Sequence, residues 1–281
     1  MLKQGARTGR GGVPLSFRTI AYNVLECTGF PDGAPAHMVT PAAFAEALAG
    51  YAPDVVTLAE CPERESVLAV AAHLEMACVF FPSAERWPGA LLTRLPLLAA
   101  ENCPHPSGVR PAADFTRHWG RALLLAGGGD GGGAEVVAVH SVHLHPSDGA
   151  TREREVLAVL EAVRADREAG ARVVVQGDLN HRPDMPEYEW WWNGGLYDTF
   201  EPEDPGEGYT YRSDIPMARL DYIWVDRELA PRVVRGRPLA EPPFVPTEEH
   251  PWALSDHIPQ LAVIEPPRGQ VGPGRLDSDV R

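Results

Sequence analysis

Short apolar runs that end at a polar residue alternate with segments rich in glycine, proline and charge along most of the chain. Runs of this length and composition are typical of buried β-strands. The runs that predict strands are Phe17–Asn23, Asp54–Glu60, Met76–Phe81, Ala90–Thr93, Leu97–Glu101, Arg121–Ala126, Val136–His143, Arg172–Gln176, Leu220–Val225 and Ile258–Ile264. Many strands and few helices predict an α+β protein in which sheet packs on sheet and the helices lie outside.

Longer segments predict helices at Pro41–Tyr51, Glu65–Leu74 and Thr151–Ala169. The first has proline in its first turn behind Thr40, a residue type that caps helix N-termini. The third places its apolar residues on one face, which predicts an amphipathic helix packed on a sheet. These apolar residues are Val156, Leu157, Leu160 and Val163.

Composition excludes two classes of protein. Hydrophobic residues make up 44% of the 281 residues and charged residues 23%, which is ordinary for a globular protein with a sizeable core. A disordered chain has too little apolar content to offset the entropy of ordering, so that class is excluded. No apolar run approaches the roughly 18 residues that span a bilayer, so membrane insertion is excluded as well.

The formal net charge is −14, and no lysine follows Lys3. A protein that holds nucleic acid by bulk electrostatics needs clustered basic residues, so the charge argues against that class. It does not exclude an enzyme that meets phosphate through a bound cation, because dense carboxylates contribute negative charge that a metal offsets.

The two ends of the chain have little to bury. We expect flexible tails at residues 1–13 and 266–281, with a single domain over 14–265 between them. The glycine-rich stretch 127–133 lies between two predicted strands and is interpreted as a hairpin loop.

The cysteines stand far apart, without a CxxC pair, so we expect reduced thiols rather than disulfides or a zinc site. They are Cys27, Cys61, Cys78 and Cys103. The N-terminus has no apolar segment of a secretory signal. Both features favour a cytoplasmic protein.

Polar residues fall at the ends of the predicted strands or directly after them, where a rigid sheet positions ligands beside an opening between loops. These residues are Asn23, Glu60, His143, Asp178, Asn180, Asp221, Asp256 and His257. Carboxylates with Asn and His but without Cys favour Mg²⁺ or Mn²⁺ over zinc.

In these residues and the stretches around them, the chain resembles the endonuclease/exonuclease/phosphatase superfamily. The matching stretches follow the order of that family and run from about residue 17 to 264: AYNVL, PDVVTLAE, PGALLTRLPL, SVHLH with TRERE, VVVQGDLN, YTYR with RLDYIWV, and SDHIP. The resemblance implies a four-layer α/β/β/α sandwich, in which two packed mixed sheets are flanked by helices and the site lies at one end.

The resemblance also implies roles for the metal ligands and for the base. Glu60 would be the principal metal ligand, with Asn23 beside it and Asp256 contributing directly or through water. Asp178 would orient or deprotonate the attacking water, and Asn180 would steady Asp178 or a phosphate oxygen.

Two histidines would face the phosphate in the same scheme. His257 would bind and neutralise the phosphoryl group, and His143 would lie beside it. Asp221 would support His257 or His143, and a carboxylate that holds an imidazole raises its basicity, so either histidine could be protonated.

The chain departs from some relatives at two places. An acid that those relatives carry two residues after the first Asn is Leu25 here, and Glu26 and Asp32 are the candidate substitutes. A tyrosine in the central insertion has no counterpart between residues 102 and 120. The polar candidates there are His105, Arg110, Arg117 and His118, of which Arg117 and His118 are predicted to bind substrate.

Structural interpretations stand beside these functional ones. The Asp178–Asn180 segment suits a turn, and Asp221 suits a pairing with Arg219. Trp190–Trp192 is typical of core packing, with base stacking as the alternative. His140 and His145 lie outside the matching positions and are interpreted as packing or surface residues.

Together these features predict a Mg²⁺- or Mn²⁺-dependent hydrolase of phosphate esters, either monoesters or diesters. The acidic charge favours a small soluble substrate over DNA or RNA, with a nuclease as the alternative. A protein on the same scaffold that is non-hydrolytic or acts on a phosphate-free substrate is the further alternative. Nothing in the sequence indicates an obligate protein partner.

Overall fold

Twelve strands and four α-helices form the described part of the chain. The computed structural model describes residues 17–83, 86–104, 115–127, 134–200 and 208–265. The strands are β1 (Phe17–Asn23), β2 (Val55–Ala59), β3 (Ala77–Phe81), β4 (Gly89–Thr93), β5 (Leu97–Asn102), β6 (His118–Ala126), β7 (Glu135–His143), β8 (Arg172–Asp178), β9 (Leu196–Asp198), β10 (Asp221–Asp226), β11 (Val233–Pro238) and β12 (Gln260–Ile264). The helices are α1 (Pro41–Ala49), α2 (Arg64–His73), α3 (Gly149–Glu168) and α4 (Pro186–Asn193).

The strands form two six-stranded sheets, in the orders β11-β12-β1-β2-β4-β3 and β5-β6-β7-β8-β10-β9. Each sheet has one parallel pair at its centre, β1 with β2 and β7 with β8, and its other pairs are antiparallel. Parallel strands need a crossover connection, and these connections contain α1 in the first sheet and α3 in the second. The central strands of each sheet therefore end at the same edge.

Three apolar clusters lie between the four layers of helices and sheets. The central cluster draws residues from both sheets, among them Phe17, Leu91 and Val174. A second cluster packs α1 and α2 on the first sheet, and a third packs α3 and α4 on the second. The predicted α/β/β/α sandwich of two mixed sheets flanked by helices is confirmed.

A buried hydrogen-bond network joins the two sheets within this core. Gln176 of β8 accepts a hydrogen bond from Thr19 Oγ1 at 2.6 Å and donates through Nε2 to Thr57 Oγ1 at 2.9 Å and to the carbonyl oxygen of Ile20 at 3.0 Å. Gln176, Thr19 and Thr57 are all at most 1% exposed. Buried polar groups are costly unless they are paired, so this network fixes the two sheets relative to each other.

Helix α1 begins at the predicted residue, whereas α2 and α3 begin one and two residues earlier than predicted, and one predicted face needs correction. Thr40 caps α1 by accepting a hydrogen bond from the Ala43 amide at 3.2 Å. Leu157 was expected on the packed face of α3 but is 54% exposed. Polar side chains take part of that face instead, because Arg152 and Glu155 are buried there through specific hydrogen bonds.

Two strands and one helix were not predicted. The edge strand β11 contains few apolar residues and two arginines, so its sequence does not predict a strand. The tryptophan run 190–192 lies in α4, where Trp191 is fully buried and donates to His181 Nε2 at 3.0 Å. Core packing is therefore the better interpretation of Trp191, whereas Trp192 is half exposed.

Some predictions lie outside the described residues. They concern the tails at 1–13 and 266–281, His105, Arg110 and nearly all of the glycine-rich loop. In the ranges that the structure does describe, no helix has both the length and the apolar character that crossing a membrane demands.

We expect Gln176→Leu to lower the free energy of unfolding by about 2–4 kcal/mol, because the buried hydroxyls of Thr19 and Thr57 both lose their hydrogen bond to Gln176. Urea unfolding followed by circular dichroism measures this loss. Gln260→Leu is the matched control, since Gln260 is also buried but its Nε2 has no acceptor among the described residues. An equal loss in both variants would contradict the role given to the network.

Candidate active site

The polar residues at the ends of the central strands meet at one end of the sandwich. In the second sheet, paired positions on β6, β7, β8 and β10 carry His118, His143, Asp178 and Asp221. From the first sheet, Asn23 ends β1, and Glu60 directly follows β2 on the neighbouring strand. The structure thus brings together side chains that lie far apart in sequence.

Unusual backbone conformations place several of these residues. Glu60 and Asn180 have φ values of 51° and 49°, in the left-handed region that non-glycine residues seldom occupy. Gly177 has φ 142°, and a Cβ there would lie 2.0 Å from the Val142 carbonyl oxygen. Strain of this kind concentrates at functional sites, where the surrounding structure holds it in place.

Asp178 lies at the centre of the site and is 2% exposed. Its Oδ2 accepts a hydrogen bond from Asn23 Nδ2 at 3.0 Å, across the two sheets, and its Oδ1 accepts one from the Asn180 amide at 3.1 Å. The same Oδ2 lies 3.5 Å from His143 Nε2 and 3.8 Å from His257 Nε2. Burial raises the pKa of Asp178 to about 7, although the His257 charge opposes that shift.

Glu60 faces Asp178 from the other sheet. Its Oε1 lies 3.9 Å from His143 Nε2, and its side chain keeps 14% exposure, so the carboxylate reaches the opening of the site. Burial raises the pKa of Glu60, and a hydrogen bond from Asn23 partly offsets this. Asn23 therefore contacts the two carboxylates that come from different sheets.

Asp221 supports His257, not His143. His257 Nδ1 lies 2.7 Å from Asp221 Oδ2, and both side chains are buried. Burial disfavours the imidazolium, but the charges of Asp221 and Asp178 outweigh it and raise the pKa of His257 to about 10. His257 is therefore a protonated donor at neutral pH, with Nε2 directed at Asp178.

His143 and His118 are neutral by the same reasoning. Burial, followed by the charge of Arg117, holds the pKa of His143 well below its usual range. Burial lowers the pKa of His118 to about 3, and its Nε2 lies 3.0 Å from Ser141 Oγ. Either His257 or His143 was expected to be protonated when phosphate binds, and the surroundings favour the protonated form only for His257. Substrate binding by His118 stays a prediction.

The remaining predicted residues surround this centre. Asp256 is half-buried, and its Oδ1 lies 3.3 Å from Ser255 Oγ, which also donates to the Asn23 carbonyl oxygen at 2.7 Å. Asn180 donates through Nδ2 to the Leu144 carbonyl oxygen at 3.0 Å, which fixes its orientation beside Asp178.

The donor set fits a hard divalent cation. Among the described residues, ligand atoms of Glu60, His143 and Asp178 lie within 4.8 Å of one another, as do those of Asp178, Asp221 and His257. Oxygen donors open to the site favour Mg²⁺ or Mn²⁺. Glu60 belongs to the first of these groups, and Asp256 belongs to neither.

The candidate substitutes for the acid missing at Leu25 have other positions. Glu26 forms an ion pair with Arg86, with distances of 3.1 Å from Nε to Oε1 and 3.0 Å from Nη2 to Oε2. Asp32 is exposed. Neither residue belongs to the groups of clustered ligand atoms found in the described chain.

Sequence reasoning assigned no role to Tyr211 or Ser255, both of which contact the site. The ring of Tyr211 lies 5.1 Å from that of His257, and the backbones of the two residues form a β-bridge. Tyr211 belongs to the YTYR stretch and Ser255 directly precedes Asp256, so proximity to recognised residues was the available signal.

Comparisons with known proteins agree with this geometry. The sequence model of the endonuclease/exonuclease/phosphatase family matches residues 20–257. The chain belongs to this family. A search of curated proteins finds no match.

Solved structures similar to this family member share its fold. A family protein from Bacteroides vulgatus has a TM-score of 0.68 and 17% identity, covering 89% of this chain and 99% of its own. One from Bacteroides thetaiotaomicron has a TM-score of 0.65 and 15% identity, covering 90% and 99%. A truncated Caenorhabditis elegans TDP2 has a TM-score of 0.62 and 16% identity, covering 89% and 98%.

We expect Asp221→Asn to lower the pKa of His257 by at least about one unit, because the largest charge favouring the imidazolium is removed. Histidine NMR titration of the metal-free protein measures the pKa directly. Asp226→Asn, at the far end of the same strand, is the control and should leave it unchanged. An unaltered His257 titration in Asp221→Asn would show that Asp221 does not set its charge.

Proposed function

We propose that this family member is a divalent-metal-dependent phosphoesterase that hydrolyses its substrate by in-line attack of a water molecule activated by Asp178. The observation that carries the proposal is the convergence of Asp178, which ends β8, Glu60, which follows β2, and His257, which lies shortly before β12. Family membership and the carboxylate–imidazole donor set support a metal-dependent phosphoesterase or nuclease in general. The substrate and the roles below are our proposal.

Asp178 is the base in this scheme. Its Oδ2 is held by Asn23, lies close to both histidines, and has a pKa raised by burial into the range of an effective general base. The water oxygen forms a bond to phosphorus as its proton passes to Asp178. The bond from phosphorus to the leaving oxygen breaks on the opposite side, and the leaving group takes up a proton.

His257 and its neighbours stabilise the negative charge of the phosphoryl group in this scheme. Protonated His257 donates from Nε2 to a non-bridging phosphate oxygen, while neutral His143 and Asn180 hold the phosphoryl group in place. A cation bound by Glu60 and Asn23, with Asp256 nearby, would supply positive charge for the leaving oxygen. Asp221 keeps the His257 ring oriented and charged.

A small soluble phosphoester is the substrate class that we favour over DNA or RNA. The net charge of −14 and the absence of lysine after Lys3 leave little basic surface for a polymer backbone. A nuclease activity on DNA or RNA is the second candidate, and the experiment below separates the two.

We expect Asp178→Asn and Glu60→Gln each to reduce hydrolysis by at least about 100-fold, because one removes the base and the other the main cation ligand. The measurement is phosphate and nucleotide release from plasmid DNA, single-stranded RNA, nucleoside phosphates, sugar phosphates and inositol phosphates. Each substrate is tested with Mg²⁺, with Mn²⁺ and with EDTA.

Glu168→Gln is the control, because Glu168 is an exposed carboxylate at the end of α3. It should retain full activity, and circular dichroism should show that all three variants fold. Wild-type turnover in folded Asp178→Asn or Glu60→Gln would overturn the proposed function. Cleavage confined to DNA or RNA would replace the small-substrate assignment with the nuclease.

A further inference from the structure

Arg117 is partly buried, and two of its guanidinium nitrogens have no partner among the described residues. Its Nε and Nη1 atoms are buried, and no acceptor in the described part of the chain lies within hydrogen-bond distance of either. Guanidinium groups in protein interiors are normally paired, because an unsatisfied buried donor costs stability. An arginine held in this state at the edge of an active site suggests that its partner is a ligand.

The aromatic ring of Trp87 holds Arg117 in place. The guanidinium carbon of Arg117 lies 5.1 Å from the ring centroid, and that of Arg86 lies 4.9 Å from the same centroid. Arg86 differs from Arg117 because it is exposed and its charge is matched by Glu26 at 3.0 Å. The two arginines thus share one aromatic ring, but Arg86 is paired with Glu26, whereas Nε and Nη1 of Arg117 have no acceptor among the described residues.

Arg117 lies next to the residues at paired strand positions that form the site. It directly precedes His118 at the start of β6, and His118 is paired with His143, which is paired with Asp178. The charge of Arg117 lowers the pKa values of both His143 and Glu60. The charge of His257 also lowers the pKa of His143, so both cations act on His143.

Nearby acids leave the charge of Arg117 largely unbalanced. Glu155 is close enough to be influenced by Arg117, but burial raises its pKa to about 8, so it is mostly protonated at neutral pH. Its Oε2 accepts from the His145 amide at 2.8 Å, which holds the chain after His143 in place. Glu60 is the carboxylate assigned to the cation.

We propose that Arg117 binds a non-esterified oxygen of the substrate phosphate and makes the site selective for phosphomonoesters over phosphodiesters. The inference rests on the proposed function and decides between the two ester classes. A monoester carries a charge of about −1.5 to −2 at neutral pH, whereas a diester carries about −1. A guanidinium fork bonds two oxygens of such a group, which favours the ester with more free anionic oxygens.

Binding of two simple probes tests the inference without catalysis. Inorganic phosphate represents the monoester end and dimethyl phosphate the diester, each titrated calorimetrically into the full chain with Mg²⁺. We expect wild type to bind inorganic phosphate more tightly. Arg117→Met should weaken binding of inorganic phosphate by about tenfold or more and that of dimethyl phosphate by less than about threefold, because the diester has less negative charge and fewer free oxygens for the guanidinium.

Two further variants sharpen the result. Arg86→Met is the matched control on the same Trp87 ring and should bind both probes as wild type does. Arg117→Lys keeps the charge but loses the fork, so it should recover part of the phosphate affinity. If Arg117→Met is poorly folded by circular dichroism, the comparison of Arg117→Lys with wild type carries the test.

The outcomes separate this inference from the proposed function. Equal weakening of both probes by Arg117→Met, no weakening, or no preference in wild type would overturn the role of Arg117, even if Asp178-dependent hydrolysis is found. Normal selectivity for inorganic phosphate in a protein without metal-dependent hydrolysis would instead overturn the proposed function and leave the anion site in place.

Discussion

The hydrogen bond from Asn23 to Asp178 is the contact on which the site depends, because it joins side chains that come from different sheets. The two sheets can hold this bond only if their relative position is fixed. Gln176 provides that constraint through Thr19 and Thr57, two residues earlier on the same strand as Asp178. Because side chains alternate along a strand, Gln176 and Asp178 face the same side. One strand face therefore supplies the core network and then the carboxylate at the centre of the candidate site.

The sequence allowed the fold class and the location of the site to be predicted, because both depend on local pattern. Apolar runs identified most strands, and the polar residues that terminate them lie at the carboxyl ends of the two parallel pairs. Asn23, Glu60, His143 and Asp178 meet for that topological reason. Edge strand β11 and helix α4 were missed, since their packing is set by neighbours distant in sequence. Gly236 of β11, for example, lies directly against the Thr199 carbonyl oxygen.

Charge states and partner choices could not be predicted, because they arise only when side chains from several elements are brought together. The sequence left Asp221 beside either histidine, and three-dimensional packing pairs it with His257. Burial lowers the pKa of both histidines, but the charges of Asp221 and Asp178 raise that of His257, so His257 is protonated and His143 is neutral. The surroundings of Arg117 include Trp87 and Glu155, and a linear pattern reveals neither neighbour.

The overall negative charge of the chain is a weaker guide to the substrate than the local balance at the site. Charges farther than a Debye length of about 8 Å are largely screened at physiological salt, so most of the −14 acts little on a bound phosphate. Within the site, burial holds Asp178 partly protonated, whereas His257 and Arg117 remain positive. Buried charges are screened less, so these two cations have the larger influence on an anion at the site. The charge that an anion meets is therefore set by these two cations together with Glu60, Asp221 and Asp256, so the negative net charge of the chain does not by itself exclude an anionic substrate.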